Sequence, residues 1–161
     1  MSKTKEIVVI AFLAAILFVQ EQVLTFLPNI QLTVFLLILY SCCLGLKKTL
    51  LIILIHVLLD NLVMGSFNLV FTPFMFIGWS IIPFVLHKMK HVSVMQLALL
   101  SIVFALLYSW IYIIPNVLVY QFDFVAYLMA DLPFELLLAM SSFITTLWLY
   151  EPCEKVLKKY L

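Results

Sequence analysis

Arginine is absent from the chain, and glycine occurs only at Gly45, Gly65 and Gly78. Glycines so placed exclude a phosphate loop of the GxxxxGK type, so any energy from ATP has to come from another polypeptide. Charged residues make up 11% of the 161 positions, against about 25% in a soluble domain. The formal net charge of +1 leaves no basic footprint for nucleic acid. Cysteine is scarce too, at Cys42, Cys43 and Cys153, with no CxxC pair. Adjacent cysteines make a poor disulfide or metal pair, and small apolar filler is the preferred reading. The strict alternation of barrel strands is missing as well. Apolar residues are what the chain has, at 66% hydrophobic and 15% aromatic with a mean hydropathy of +1.24. Such a composition cannot cover a globule in water. It reads as an all-α integral membrane protein, one domain over residues 1–161.

A helix needs about 20 apolar residues to cross a hydrocarbon core of about 30 Å. Runs broken by charge, proline or glycine give six segments: 7–27, 32–46, 49–64, 69–86, 94–114 and 124–150. The second and third are short, which places their ends inside the protein or near an interface. Lys3 and Lys5 precede span 1, and Lys47 and Lys48 separate spans 2 and 3. Lys88 and Lys90 separate spans 4 and 5, while Lys155, Lys158 and Lys159 follow span 6. With six spans all nine lysines fall on one side, which the positive-inside rule makes cytoplasmic, so both termini are expected inside. The first segment has no small-residue cleavage site and reads as a mature helix. His87 and His91 stand four apart but share a loop with Lys88 and Lys90, so a solvated loop is expected there, with no metal and no cofactor.

The opposite side lacks lysine and carries Gln20, Glu21, Gln22, Asn29, Gln31 and Asn68 instead. A carboxylate within a span is costly unless paired or hydrated, so each is a functional candidate. In span 3, His56 and Asp60 share a helix face; at about 1.5 Å per residue Asp60 lies about 16 Å from the inner end. In span 6, Asp131 and Glu135 repeat that spacing, with Tyr127 one turn further out and Glu135 about 22 Å from the inner end. Two readings stay open for most of these groups. Asp131, followed by Leu132-Pro133, fits either an N-cap or a ligand contact. Asp60 with His56 fits either a site or a pair locking helix 3 to a neighbour. Glu135 is harder to explain as a cap and is favoured for a site, whereas Glu21 is expected to be solvated. Trp110, Tyr112 and Tyr120 fit an interfacial belt or a stacking platform. The candidate ligand contacts are Glu135, Asp131, Asp60 and Asn61, with Tyr127, Trp110 and Asn116 beside them. Without a basic residue there, an amine, a ring cation or a polyhydroxylated compound suits the site better than an anion.

Span 1 contains Ala11-Phe12-Leu13-Ala14-Ala15, a small-x-x-x-small pair at Ala11 and Ala15 that permits close helix approach in lipid. Pro133-Phe134-Glu135-Leu136-Leu137 and Leu149-Tyr150-Glu151-Pro152, the latter leading to Lys158-Lys159, mark span 6 and its tail. With six short spans, inner termini and a polar outer half, this resembles the substrate-binding S components of energy-coupling factor (ECF) vitamin transporters. The resemblance implies a binder rather than an enzyme, located in a bacterial cell membrane. It implies high-affinity capture of a vitamin or precursor at the outer face. It further implies a transmembrane coupling subunit docking at Ala11 and Ala15, and two partner ATPases. Flavin-type members tend to have Asn where this chain has Glu135 and Lys where it has Leu138, so another substrate is expected: thiamine-, pyrimidine- or pyridoxamine-like.

Pro28-Asn29 and Asp60 followed by Gly65 are similar to features of the rod-shape-determining MreD scaffolds, an alternative without a small ligand. The scarcity of glycine and the polar outer half tell against it. An intramembrane enzyme needs a nucleophile and base on facing helices, and no spacing links Ser141, Ser142 and His56. An independent proton-coupled carrier is disfavoured by the lack of an internal repeat.

Overall fold

The apolar runs fold as helices, and no strand occurs among the described residues, which in this computed structural model are 3–63 and 68–161. In chain order the helices are α1 (Lys3–Val23), α2 (Thr33–Leu44), α3 (Leu46–Val63), α4 (Phe71–Lys88), α5 (Val94–Ile111), α6 (Ile113–Leu118) and α7 (Phe124–Tyr160). Met64, the expected end of span 3, and Gly65 lie outside the described residues.

Local chemistry sets the junctions. After α1, Asn29 takes a left-handed φ of 54°. The Gln20 side chain then caps α2, accepting from the Leu32 amide at 2.8 Å and donating to the Thr33 hydroxyl at 2.8 Å. The turn from α2 to α3 is the single residue Gly45, at φ 79° and ψ 175°, a region open essentially to glycine alone. The Asn68 carboxamide oxygen accepts from the Val70 and Phe71 amides and starts α4. Ser93 and Gln96 form a reciprocal capping box at α5. Asp123 caps α7 by accepting from the Ala126 amide at 2.8 Å. The N-cap reading of Asp131 is thereby corrected: Asp131 and Pro133 both sit inside α7.

Helix α2 is the centre of the bundle and packs on α1, α3, α4, α5 and α7. Its residues from Thr33 through Tyr40 are all buried, as expected of a helix that is apolar all round. At 12 residues, about 18 Å, it is too short to cross a bilayer alone, so both its ends are held by neighbouring elements. These five helices pack around it and leave outward faces rich in exposed Phe12, Val19, Leu99, Val103, Leu136 and Trp148. Exposed apolar surface on that scale is foreign to a soluble monomer.

Among the described residues, three helices are long and apolar enough to cross a membrane: Lys3–Val23, Val94–Leu118 with α5 and α6 taken together, and Phe124–Tyr160. Helices α3 and α4 have 18 residues each but include Lys47, Lys48 and Asp60, or His87 and Lys88. The last helix runs past Tyr150, the expected end of span 6, to Tyr160; its 37 residues would reach about 55 Å if straight.

Successive long helices alternate in direction, so the bundle has two chemically distinct ends. Lys48 pairs with Glu6 at 2.9 Å, joining the starts of α1 and α3. Cys42, His87, His91 and Tyr150 meet around a cavity of about 340 Å³ at that same end. It carries all nine lysines and three of the eight acids, Glu6, Glu151 and Glu154. Glu21, Asp60, Asp123, Asp131 and Glu135 belong to the other half.

Candidate functional site at the lysine-free end

The end of α1 and the outer half of α3 meet through polar side chains. His56, fully buried, places Nε2 3.2 Å from Glu21 Oε2, a close contact outside hydrogen-bond alignment, and its Nδ1 has no hydrogen-bond partner. One turn on, Asp60 accepts from Gln22 Nε2 at 3.3 Å. Asn61 donates to the Val57 carbonyl at 2.8 Å. The Thr72 hydroxyl lies 2.7 Å from both Asn61 Oδ1 and the Asn68 carbonyl and donates its single proton to one of them at a time. The expected solvation of Glu21 is therefore corrected. It is partly buried and stands opposite His56, because the last turn of α1 packs directly on α3.

These residues open on a cavity of about 440 Å³, lined by Glu21, Asp60, Asn61, Asn68 and Thr72 with Phe71, Met75, Tyr108 and Tyr112. Tyr108 and Tyr112, their hydroxyls 3.0 Å apart, also wall a second cavity of about 210 Å³ bounded by Asn29, Gln31, Tyr127 and Asp131. A third, about 240 Å³, shares Glu21 with the first and Asn29 and Gln31 with the second. The three form one divided polar basin.

Aromatic rings pave its wall. Trp79 stacks on Tyr108 with centroids 3.5 Å apart, and Tyr108 meets Tyr112 edge-on. Phe71 stacks between Tyr112 and Tyr120 at 5.7 and 5.5 Å, and Phe122 continues the row to Tyr127. Gly78 makes this wall possible, because a Cβ there would stand 2.8 Å from Tyr108 Cδ2. Tyr112 belongs to the cavity wall, while Tyr120 ends the stacked row with its ring about half exposed.

The α7 candidates divide. Tyr127 and Asp131 line the second cavity. Glu135, on the same helix face, is buried with Oε2 accepting from Trp110 Nε1 at 3.2 Å and Oε1 unpartnered. It borders none of the three cavities. Asn116 donates to the Tyr112 carbonyl at 2.7 Å and to the Tyr127 hydroxyl at 3.1 Å, which ties α6 to its neighbours rather than facing the basin. Asp60 and Asn61 thus share one chamber, Tyr127 and Asp131 another, and Trp110, Asn116 and Glu135 stand behind them. Ala11 and Ala15 are exposed on the outer face of α1, while Ala14 between them is buried.

Sequence reasoning missed Glu21, Tyr108, Phe71 and Thr72 as lining residues. Tyr108 had a signal, because it lies one turn before Tyr112 on the same face. Phe71 had none, its neighbours being decided by the approach of α4 to α5. Chemically the basin offers carboxylates, amide oxygens and ring faces, and no lysine or histidine lines it among the described residues. It favours donor-rich or cationic guests. Fold and site together define a membrane-type helical bundle with an acidic, aromatic basin at one end. Comparison with family models, curated proteins and solved structures finds no match for this chain.

Proposed function

We propose that this chain is the substrate-binding S component of an ECF-type vitamin transporter in a bacterial cell membrane. In this reading all six long helices span, with both termini cytoplasmic. The shorter α2, α3 and α4 cross as members of the bundle, their polar ends sheltered by its neighbours. The protein captures an amine-bearing or cationic vitamin or precursor, of thiamine-, pyrimidine- or pyridoxamine-like chemistry, from the outer side. It is a binder, not an enzyme; a coupling subunit and two ATPases supply transport energy.

The observation that carries this reading is the basin at the lysine-free end. Its main chamber of about 440 Å³ lies within the ligand-site range of about 300–1,000 Å³. Carboxylates at Glu21, Asp60 and Asp131 balance a cation, and the Tyr112–Phe71–Tyr120 row offers ring faces for stacking. The lysines at the opposite end support an outward-facing basin through the positive-inside rule. A second reading, a MreD-like scaffold without a ligand, draws support from the same acids. The Glu21–His56 and Gln22–Asp60 contacts also brace α1 against α3.

Affinity purification from native membranes in mild detergent, with mass spectrometry of proteins and small molecules, separates the two. Recovery of two ATPases, a transmembrane partner and a retained small molecule is expected. Cell-wall elongation proteins without a ligand would instead establish the scaffold. Asp60→Asn and Asp131→Asn, one in each chamber, should each weaken binding of the retained molecule without loss of folding, and unchanged affinity in both removes the acidic-site proposal.

A further inference from the structure

Away from the basin, α1 and the final turns of α7 each pack on α2 and leave a gap between them. The gap has a volume of about 680 Å³. Its walls are Val8, Phe12 and Ile16 on one side and Cys153, Val156 and Tyr160 on the other; Leu36, Leu39 and Tyr40 form the floor. The floor hydroxyl is already used, since Tyr40 donates to the Leu13 carbonyl at 3.2 Å. Nothing polar inside asks for a partner. From Val8 to Ile16 the groove is about 12 Å long, close to the depth of one leaflet at about 15 Å.

Charge flanks this groove on the α7 side. The Lys159 ammonium lies 6.0 Å from the centroid of Tyr160, itself a groove wall, and Lys155 stands one turn earlier on the same face of α7. Two of the three carboxylates at this end are engaged elsewhere, Glu6 with Lys48 and Glu154 with Lys158, both at 2.9 Å. The third, Glu151, is exposed one turn before Lys155. No ion pair holds Lys155 or Lys159 among the described residues. An apolar slot of leaflet depth beneath free ammonium groups fits one occupant.

We propose that this groove binds an anionic phospholipid, with one acyl chain between α1 and α7 and the phosphate held by Lys155 and Lys159. The inference rests on the membrane character of the bundle and is independent of the transporter reading. The purified full chain is titrated with dioleoylphosphatidylglycerol or dioleoylphosphatidylcholine, and bound lipid is counted by native mass spectrometry. Two lysines at the headgroup level predict a preference for the anionic lipid on the order of ten-fold. The double substitution Lys155→Gln with Lys159→Gln should abolish that preference while phosphatidylcholine retention stays unchanged; both side chains are exposed, so folding is spared. A phosphatidylglycerol carrying a photoreactive group in its acyl chain should label residues 8–16 and 152–160. Equal retention of the two lipids overturns the proposal, as does labelling spread evenly over the outward faces. Chain-to-chain crosslinks through Val156 would overturn it too, by making a second copy the occupant.

Discussion

Gly78→Ala probes the Tyr108 wall shared by the chambers of about 440 and 210 Å³. The added Cβ would meet Tyr108 Cδ2 at 2.8 Å, Ile111 Cγ2 at 3.2 Å and Tyr108 Cε2 at 3.3 Å. Tyr108 cannot simply swing aside, because its ring lies on Trp79 and its hydroxyl is bonded to Tyr112. Overpacking of this kind costs about 1–3 kcal/mol, while the helix preference for Ala over Gly returns about 0.8–1.0 kcal/mol. The clash outweighs the propensity gain, and a net loss of up to about 2 kcal/mol is expected. Tyr108→Ala by itself should cost about 3–5 kcal/mol, as for other large aromatic truncations. In the double variant only the milder Ile111 contact remains, so stability should match Tyr108→Ala or slightly exceed it. Reversible unfolding in mixed micelles, followed by tryptophan fluorescence, measures all four corners of the cycle. Additivity within about 0.5 kcal/mol would refute the contact.

The other outcomes follow from single features. Gly45→Ala forces a Cβ into a backbone region reserved for glycine and should cost about 1–3 kcal/mol in the same unfolding assay. His56→Leu takes away the imidazole that faces the partly buried Glu21 carboxylate and should destabilise by about 1–3 kcal/mol, with much of the loss recovered when Glu21→Gln is added. Ala11→Trp and Ala15→Trp, on an exposed face, should leave the unfolding midpoint and ligand binding unchanged but block uptake in cells. Uptake that survives both substitutions would move the docking face away from α1.

Much of the bundle was legible because lipid leaves the backbone few options: apolar runs without water must close their own hydrogen bonds. The segments 94–114 and 124–150 coincide with the starts of α5 and α7, and the lysine spacing anticipated the two unlike ends. The limits of α1 and α7 were less legible, since helices continue past the hydrophobic stretch wherever lysine and glutamate side chains can solvate the turns. The site was legible in its chemistry and not in its grouping. His56 and Asp60 on one face were open to a site or to a pair locking helix 3 to a neighbour, and only the packing names that neighbour as α1, through Glu21 and Gln22. Asp131 with its following proline matched a helix start, but Asp123 holds the cap eight residues earlier.

Period, apolar length and charge asymmetry are properties of neighbours along the chain, and they suffice for helices, their alternation and the gathering of acids and amides at one end. Which of those acids share a chamber depends on the lateral order of the helices around α2. That order is chosen by side-chain volume and close approach, with Gly78 admitting Tyr108 and the α1 end meeting α3. Asp60 and Glu135 look alike in sequence; the packing of Trp110 over one and the opening of a cavity beside the other make them different.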